Sequence, residues 1–212
     1  MSKGKCFIYG AGGHAVAVLG TAEECGFEID GFIDDFSHDP GRRFLGKRVF
    51  ANEVISEGDT VFMGFGNNRL RQQIACDLLK RGVLLPTLIH PSAVVARTAE
   101  IAEGSFVGAN VVVDPFCRIG RFCILNNGAV FCHQSKLGEG ANLCPGVAIA
   151  GNVDIKERVW VGIGSSVIEK IRIAADVFIG GGSVVVKNIT EENSLYFGVP
   201  AKIQKRNYQK LN

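Results

Sequence analysis

Apolar residues recur at every sixth position through the C-terminal half of the chain. No polar residue interrupts the series, which consists of Val95, Ile101, Val107, Val113, Ile119, Leu125, Phe131, Leu137, Leu143, Ile149, Ile155, Val161, Val167, Ile173, Ile179 and Val185. This period matches neither the roughly 3.6-residue period of a helix nor the alternation of a half-buried strand. It does match a triangular solenoid, in which each face points one aliphatic residue inward and three hexapeptides close a coil. The pattern therefore predicts a parallel β-helix of about five coils over residues 95–188.

Residues eighteen positions apart are expected to stack in neighbouring coils, as in Val107, Leu125 and Leu143. An ordinary β-sandwich is the alternative interpretation of so many short apolar segments. A sandwich, however, requires alternating residues and a turn every roughly 8–12 positions. The unbroken period of six argues against it.

The first part of the chain has a different pattern, in which short apolar runs alternate with helical segments. It predicts strands at residues 5–9, 29–33, 60–65 and 84–89, and helices from a glycine-rich turn to about Cys25 and over residues 68–81. Alternating strands and helices are typical of a small parallel sheet. The chain is thus predicted to contain an α/β domain at residues 1–88 and an all-β domain with a C-terminal tail at residues 89–212.

A glycine-rich turn follows the first predicted strand. Residues 10–15 (Gly-Ala-Gly-Gly-His-Ala) fit the pattern G-x-G-x-x-[GA], and Asp34 and Asp35 follow the second strand. Glycines let backbone N–H groups approach a diphosphate at the positive end of a helix, and a carboxylate can accept hydrogen bonds from a ribose or base. The motif therefore indicates a nucleotide, with tight turns that bind no ligand as the alternative.

The size of this domain bears on which nucleotide it binds. Fewer than ninety residues hold one mononucleotide-binding half of a Rossmann-like fold, so NAD is disfavoured and a nucleotide carried on a substrate fits better. Residues 64–69 follow the third predicted strand. Because loops after parallel strands emerge at the same edge of a sheet, we expect this second loop to share the ligand with the glycine turn.

Composition and charge exclude several classes of protein. The 23 basic and 21 acidic residues are spread along the chain, so nucleic-acid binding is not expected. No apolar run approaches the roughly 18–20 residues of a membrane span, and residues 1–5 lead directly into a strand, which predicts a cytoplasmic protein without a membrane partner. The seven cysteines form no C-x-x-C pair and lie in apolar patterns, so we expect reduced thiols and no metal.

The repeat resembles that of left-handed β-helix acyltransferases, and residues 198–202 (Gly-Val-Pro-Ala-Lys) resemble the terminal G-x-P-A-[KR] signature of members that use acetyl-CoA. A small nucleotide-binding domain joined to such a helix is similar to the bacterial nucleotide-sugar acetyltransferases. These include the UDP-4-amino-sugar N-acetyltransferases of bacillosamine synthesis and relatives called sialic acid O-acetyltransferases. The resemblance runs end to end, with family motifs at residues 9–14, 32–35, 66–68, 131–134, 150–153 and 198–202.

The resemblance implies a homotrimer with active sites between neighbouring prisms. It implies direct acetyl transfer from acetyl-CoA to the amino group of a nucleotide-linked 4-amino-4,6-dideoxy sugar, carried by UDP or dTDP. It assigns the nucleotide sugar to Gly12, Gly13, His14, Asp34, Asp35 and Gly66, and acetyl-CoA to Asn142, Ile163, Gly181 and Lys202. Asn142 stands where the family frequently has a histidine. Lys202, Lys205 and Arg206 are candidates for contacts with CoA phosphates, with a solvated basic tail as the alternative.

His133 lies within the regular coil, at the second position after the inward Phe131, where its side chain is expected to point toward a neighbouring subunit. An imidazole titrates near neutral pH and can take the proton of an attacking amine. By the resemblance, His133 is the general base and the next residue, usually acidic, orients it. Here that residue is Gln134, whose amide oxygen can fix the tautomer but brings no charge. Cys132 as an acyl-accepting nucleophile is disfavoured, because adjacent strand residues point apart.

Other functions are possible on the same coil. A γ-type carbonic anhydrase needs three histidines on zinc, and from residue 95 onward the sequence has His133 alone. A sugar O-acetyltransferase differs only in its acceptor atom, and a non-catalytic solenoid would serve in assembly, so both stay open. For the trimer, the interface is expected at the outward-facing Phe106, Phe116, Phe122 and Ile124.

Overall fold

The computed structural model describes residues 4–35 and 41–208. Its first part contains β1 (Cys6–Tyr9), α1 (Gly13–Glu24), β2 (Gly31–Ile33), β3 (Arg43–Phe44), β4 (Lys47–Phe50), a 3-10 turn (Asn52–Val54), β5 (Thr60–Met63) and α2 (Asn68–Lys80). The strand order is β3-β4-β2-β1-β5, with β1 pairing in parallel with β2 and β5. The side chain of Asn67 accepts a hydrogen bond from the N–H of Leu70 at 3.0 Å and so caps α2. This is the predicted small parallel sheet.

Two elements differ from the predicted pattern. The β3–β4 hairpin is antiparallel and is absent from the predicted elements. The strand predicted at residues 84–89 is wrong, because Leu84 makes an isolated bridge to Thr60 while Leu88–Ile89 pairs with Phe106–Val107 of the coil. Pro86 lies between the two pairings and has no N–H to donate, which explains the interruption.

A parallel β-helix begins with β6 (Leu88–Ile89). The strands that follow it are β7 (Val94–Val95), β8 (Glu100–Ile101), β9 (Phe106–Val107), β10 (Val112–Val113), β11 (Arg118–Ile119), β12 (Ile124–Leu125), β13 (Val130–Phe131), β14 (Lys136–Leu137), β15 (Asn142–Leu143), β16 (Ala148–Ile149), β17 (Asp154–Ile155), β18 (Trp160–Val161), β19 (Ser166–Val167), β20 (Arg172–Ile173), β21 (Phe178–Ile179) and β22 (Val184–Val185). The chain then forms the antiparallel pair β23 (Leu195–Phe197) and β24 (Lys202–Lys205).

Each strand of the coil pairs in parallel with the strand eighteen residues away. Leu125, for example, lies between Val107 and Leu143, and all three are buried in the core of the prism. The predicted stacking is therefore confirmed. At the corners, every sixth residue from Gly104 to Gly182 has a left-handed backbone, including Gln134 with φ of 60°.

The three faces of the prism differ in the first residue of each strand, which points outward when the second points inward. The face named here the junction face has Leu88, Phe106, Ile124, Asn142, Trp160 and Phe178. The valine face has Val94, Val112, Val130, Ala148, Ser166 and Val184. The charged face has Glu100, Arg118, Lys136, Asp154 and Arg172. The same fold thus presents three surfaces of different chemistry.

The α/β domain packs on the junction face. Phe106 and Ile124 are buried in one cluster with Ile8, Val18 and Phe32. The expectation that Phe106, Phe122 and Ile124 form a trimer interface is therefore wrong, because their own chain covers them. Of the four residues in that expectation, Phe116 is exposed, at 64%.

Candidate active site

The glycine turn leaves open space at the start of α1. Gly12 caps this helix without a side-chain hydrogen bond, and Gly12 and Gly13 are both exposed. A Cβ added at either residue would meet no atom within 4 Å. Free N–H groups at a helix start carry partial positive charge, so this turn can accept an anionic group such as a diphosphate.

The second loop lies directly beside the glycine turn, as its position after a parallel strand predicts. The N–H of Gly64 donates to the carbonyl of Tyr9 at 2.7 Å. A Cβ on Gly10 would lie 2.9 Å from the oxygen of Gly64, so the two backbones approach too closely for a larger residue. Gly66 follows within this loop and faces the ring of Trp160, on the junction face. One ligand can therefore touch both loops.

The two predicted aspartates have different surroundings. Asp35 accepts hydrogen bonds from the Tyr9 hydroxyl and from the N–H and side-chain amide of Asn52, so both of its oxygens are already engaged. Burial, and then this contact with Asp35, raise the pKa of Tyr9. Asp34 instead pairs with Arg42 at 2.6 Å. Asp35 thus holds the loop together, whereas Asp34 lies beside a cation.

Arg42 is a residue of this site that the sequence motifs do not mark. Its Nη2 donates to the carbonyl of Ala11 at 3.4 Å, and its Nη1 contacts Asp34. The guanidinium therefore lies next to the glycine turn, where the N–H donors that Asp34 and Ala11 do not take can face an anion at the helix start. Arg42 belongs to no motif and to no element predicted from the sequence, so the sequence gives no signal for this role.

His14 follows the turn but points away from the open space. Its ring packs edge-on against Phe106, with centroids 5.1 Å apart. Burial, with a smaller effect from the positive charge of Arg71, lowers the pKa of His14 to about 3. Within residues 4–35 and 41–208, its buried Nε2 finds no hydrogen-bond partner. His14 is therefore neutral and lies where the α/β domain meets the β-helix.

His133 lies on the corner between the valine and charged faces, where its side chain is exposed. Its ring packs on Gly151 of the next coil, where an added Cβ would lie 2.5 Å from Cε1 and 2.6 Å from Nε2. Nδ1 is 3.3 Å from Oε1 of Gln134, which also accepts a hydrogen bond from the amide of Asn152 at 3.4 Å. The arrangement holds the ring with Nδ1 toward Gln134.

Cys132, beside His133, is a poor nucleophile in this setting. Burial raises the pKa of its thiol, and the negative charge of Asp114 and a hydrogen bond to it raise that pKa further. The thiolate is the reactive form of cysteine, so a raised pKa disfavours acyl transfer through Cys132.

The residues assigned to acetyl-CoA lie away from His133 in a single chain. Ile163 is 63% exposed, and a Cβ added at Gly181 would lie 3.0 Å from its Cγ2, so these two residues are neighbours at the corner between the junction and valine faces. Asn142 is only 3% exposed, on the junction face, and its buried Oδ1 has no partner among the described residues. Lys202 is exposed in β24. One chain therefore does not bring the predicted cofactor residues to the predicted base.

The basic C-terminal residues and a groove on the charged face are further places where a ligand could bind. Arg206 pairs with Glu191 at 2.7 Å, so its charge is already matched within the chain, whereas Lys205 is exposed. A groove of about 590 Å³ opens on the charged face beside Gln134, with Lys136 and Lys170 among its lining residues. In the ranges 4–35 and 41–208, the structure contains no cluster of three His, Cys, Asp or Glu side chains that could hold a metal, and no helix long and apolar enough to cross a membrane.

The chain is similar to known proteins in both sequence and structure. A family model described as the PglD N-terminal domain matches residues 5–78. PerB from Caulobacter crescentus, solved in complex with CoA and GDP-perosamine, is 36% identical, with a TM-score of 0.87 over 95% of this chain and 98% of its own. The acetyltransferase domain of PglB from Neisseria gonorrhoeae FA1090, solved with acetyl coenzyme A, is 31% identical, with a TM-score of 0.87 over 94% of this chain and 98% of its own.

Among curated sequences, the GDP-perosamine N-acetyltransferase of Escherichia coli O157:H7 is 26% identical over 74% of this chain and 75% of its own length. The structural matches confirm the predicted fold class, an α/β domain followed by a left-handed parallel β-helix. They also support acetyl-CoA as the co-substrate, because the similar structures hold CoA or its acetyl form.

Proposed function

The chain belongs to the hexapeptide-repeat family of nucleotide-sugar acetyltransferases, and from this we propose that it acetylates the amino group of a nucleotide-linked 4-amino-4,6-dideoxy sugar, with His133 as the general base. The observation that carries the proposal is the exposed His133 ring, packed on Gly151 with Nδ1 beside the Gln134 oxygen. A reaction of this kind uses acetyl-CoA and a nucleotide sugar, and we propose that it takes place in the cytoplasm.

The role of His133 follows from its two ring nitrogens. With Nδ1–H donating to Oε1 of Gln134 at 3.3 Å, the lone pair of Nε2 is free to accept a proton. The amine nitrogen attacks the acetyl carbonyl carbon, Nε2 takes the amine proton, the C–S bond breaks and the thiolate of CoA leaves. The proton then returns to that sulfur. A well-placed base of this kind contributes roughly 10²–10⁴-fold to the rate.

The nucleotide sugar is proposed to bind across the two loops of the α/β domain. The backbone of Gly12 and Gly13 and the guanidinium of Arg42 would hold the diphosphate, with Asp34 and Gly66 next to the rest of the nucleotide. His14 and Asp35 would support this pocket from inside the protein. PerB was solved with GDP-perosamine, and the Escherichia coli relative is a GDP-perosamine N-acetyltransferase, so GDP stands beside UDP and dTDP as a candidate carrier.

We further propose that the active site forms between chains of a trimer. His133 lies at one edge of the valine face, and Ile163 and Gly181 lie at the opposite edge. If three valine faces surround a threefold axis, each His133 meets the Ile163 corner of a neighbour, where acetyl-CoA would bind with Lys202 nearby. The valine face supports this because exposed side chains such as Val94 form an apolar surface that association would bury. Asn142 as a cofactor contact stays a prediction.

The test measures thiol release from acetyl-CoA with GDP-, UDP- and dTDP-linked 4-amino-4,6-dideoxy sugars. We expect thiol release with the sugar linked to one of these nucleotides. The acetylated product should resist hydroxylamine, because hydroxylamine cleaves an O-acetyl ester but not an amide. A hydroxylamine-sensitive product would instead mean O-acetylation. No release with any sugar would favour a non-catalytic solenoid and overturn the proposal.

The trimer is tested separately by light scattering at micromolar concentration. Val112→Glu introduces a charge on the valine face, and Lys136→Glu introduces the same group on the charged face as a matched control. We expect a monomer and lost activity for the first variant, and a trimer for the second. A monomeric wild-type protein with full activity would contradict the proposed site between chains.

A further inference from the structure

A fully buried arginine joins the α/β domain to the β-helix. Arg71, in α2, is 1% exposed, and burial lowers its pKa to about 10. Its guanidinium donates to uncharged oxygens: Phe122 O at 2.8 Å, Phe65 O at 3.0 Å, Gly66 O at 3.2 Å, Asn68 Oδ1 at 2.9 Å, Gly140 O at 2.8 Å and Ala141 O at 3.4 Å. Burying a charge without a carboxylate partner costs free energy, so an arginine at this position indicates a specific role.

The oxygens around Arg71 belong to two parts of the fold. Nη1 contacts the carbonyls of Phe65 and Gly66, in the second loop of the candidate site. Nε and Nη2 contact the carbonyls of Phe122 and Gly140, at corners between the charged and junction faces. The planar fork of five N–H donors in arginine can hold both sides at once, which the single ammonium group of lysine cannot do.

The loop that Arg71 holds lies between the glycine turn and the β-helix. Phe65 packs against Tyr9, with ring centroids 5.4 Å apart, immediately before the glycine turn. On the other side, Gly66 faces Trp160, and a Cβ on Gly66 would lie 3.9 Å from the indole. A shift of this loop therefore moves one side of the candidate sugar pocket relative to the coil.

We propose that Arg71 is a positioning residue for acetyl transfer: by anchoring Phe65 and Gly66 to the corners at Phe122 and Gly140, it sets where the bound sugar presents its amino group. This inference rests on the proposed function. The physical reason is that a reacting group displaced by about 1 Å can cost roughly 10²-fold in rate, even when the altered residue is far from the chemistry.

The test compares Arg71→Lys with Arg121→Lys. Arg121 lies at the same edge of the charged face, but it is only half-buried and pairs with Glu139 at 2.9 Å, so it serves as a matched control. For Arg71→Lys we expect the KM of the nucleotide sugar to rise about tenfold or more, kcat to fall, and the KM of acetyl-CoA to stay within about twofold. Arg121→Lys should leave all three constants unchanged.

A second readout does not depend on activity. Trp160 is the sole tryptophan of the sequence, and Gly66 lies beside it, so acrylamide quenching of its fluorescence reports the position of the loop. We expect stronger quenching in Arg71→Lys than in wild type or Arg121→Lys, with thermal unfolding still cooperative. If Arg71→Lys does not fold, Asn68→Ala replaces it, because Asn68 accepts from Arg71 and donates to Arg158 O at 2.9 Å.

The outcomes separate the two proposals. A wild-type protein without transferase activity defeats the proposed function, and the quenching experiment then still tests whether Arg71 anchors the loop. Unchanged constants, or an equal rise in both KM values, would overturn the positioning role, as would unchanged quenching. A selective rise in the sugar KM together with stronger quenching would support it.

Discussion

Replacing Gly151 by alanine should displace the His133 ring without removing any polar group. Gly151 lies one coil after His133, in contact with its ring. The added Cβ would lie 2.5 Å from Cε1, 2.6 Å from Nε2 and 3.1 Å from Nδ1. Because carbon atoms in favourable contact stay about 3.5–4.0 Å apart, the ring has to move by about 1 Å.

This displacement sets the expected loss in catalytic rate. Misplacing a catalytic group by about 1 Å costs roughly 10²-fold in rate, so kcat should fall by about that factor. Both KM values should stay nearly constant, because the base acts on the chemical step. His133 is exposed and has room to turn, so the midpoint of thermal unfolding should change by only about a few degrees. The assay is initial-rate thiol release at saturating concentrations of both substrates.

The control is Gly20→Ala, the same chemical change in α1, where an added Cβ meets no atom within 4 Å. This variant should keep full activity. Two results would refute the reasoning: wild-type kcat in Gly151→Ala while His133→Ala is inactive, or a collapse of thermal stability in Gly151→Ala, which would mean that the backbone and not the ring yields to the methyl group.

Further predictions concern four side chains. His133→Ala should lower kcat by roughly 10²-fold or more with modest effects on both KM values, as measured by steady-state kinetics. Gln134→Glu should shift the acidic limb of the kcat/KM profile to higher pH, because a nearby anion favours the imidazolium, and an unchanged limb would contradict the contact. Asp34→Ala should remove the carboxylate that holds Arg42 beside the glycine turn and that is proposed to lie next to the nucleotide, and so raise the sugar KM while leaving the acetyl-CoA KM nearly unchanged; equal damage to both constants would contradict the assignment. His14 has a pKa of about 3 in the folded chain and about 6.5 when unfolded, so the unfolded state binds the extra proton and stability falls as pH drops below 6.5. We therefore expect the free energy of unfolding, measured with denaturant, to fall between pH 7 and pH 5 by about 2 kcal/mol more in wild type than in His14→Gln.

The sequence predicts most of the fold because its strongest signal is geometric. An inward apolar residue at every sixth position is compatible with few structures, and the stacking of Val107, Leu125 and Leu143 follows from it. The exposure of His133 follows in the same way, since its place relative to the inward Phe131 defines a corner. The closeness of the two loops in the α/β domain follows from the parallel order of their strands.

The sequence does not reveal what buries the outward-facing apolar residues of the coil. Phe106 and Ile124 are recognisably apolar and outward-facing, but a pattern cannot tell whether a neighbouring chain or the same chain buries them. Arg42 and Arg71 escape detection for a related reason. Each donates to backbone carbonyls that folding brings near, Ala11 for Arg42 and Gly140 for Arg71, and every residue has a carbonyl, so residue identity does not reveal such contacts.

Because the three faces of the prism differ, an insertion or deletion that keeps the coil intact can still disrupt the surfaces of the coil. Folding depends on the period of six, so duplication of one hexapeptide would keep every inward position apolar and the coil intact. The faces repeat only every eighteen residues, so the same duplication would rotate all later outward residues by one face. Valines would then follow charged residues along the same surface, and corners that come after the duplication, such as the one with Ile163, would lie between different faces. We therefore expect evolution to change the length of this domain by whole coils, since a step of one or two hexapeptides preserves the fold but scrambles the site, and any other step breaks the coil.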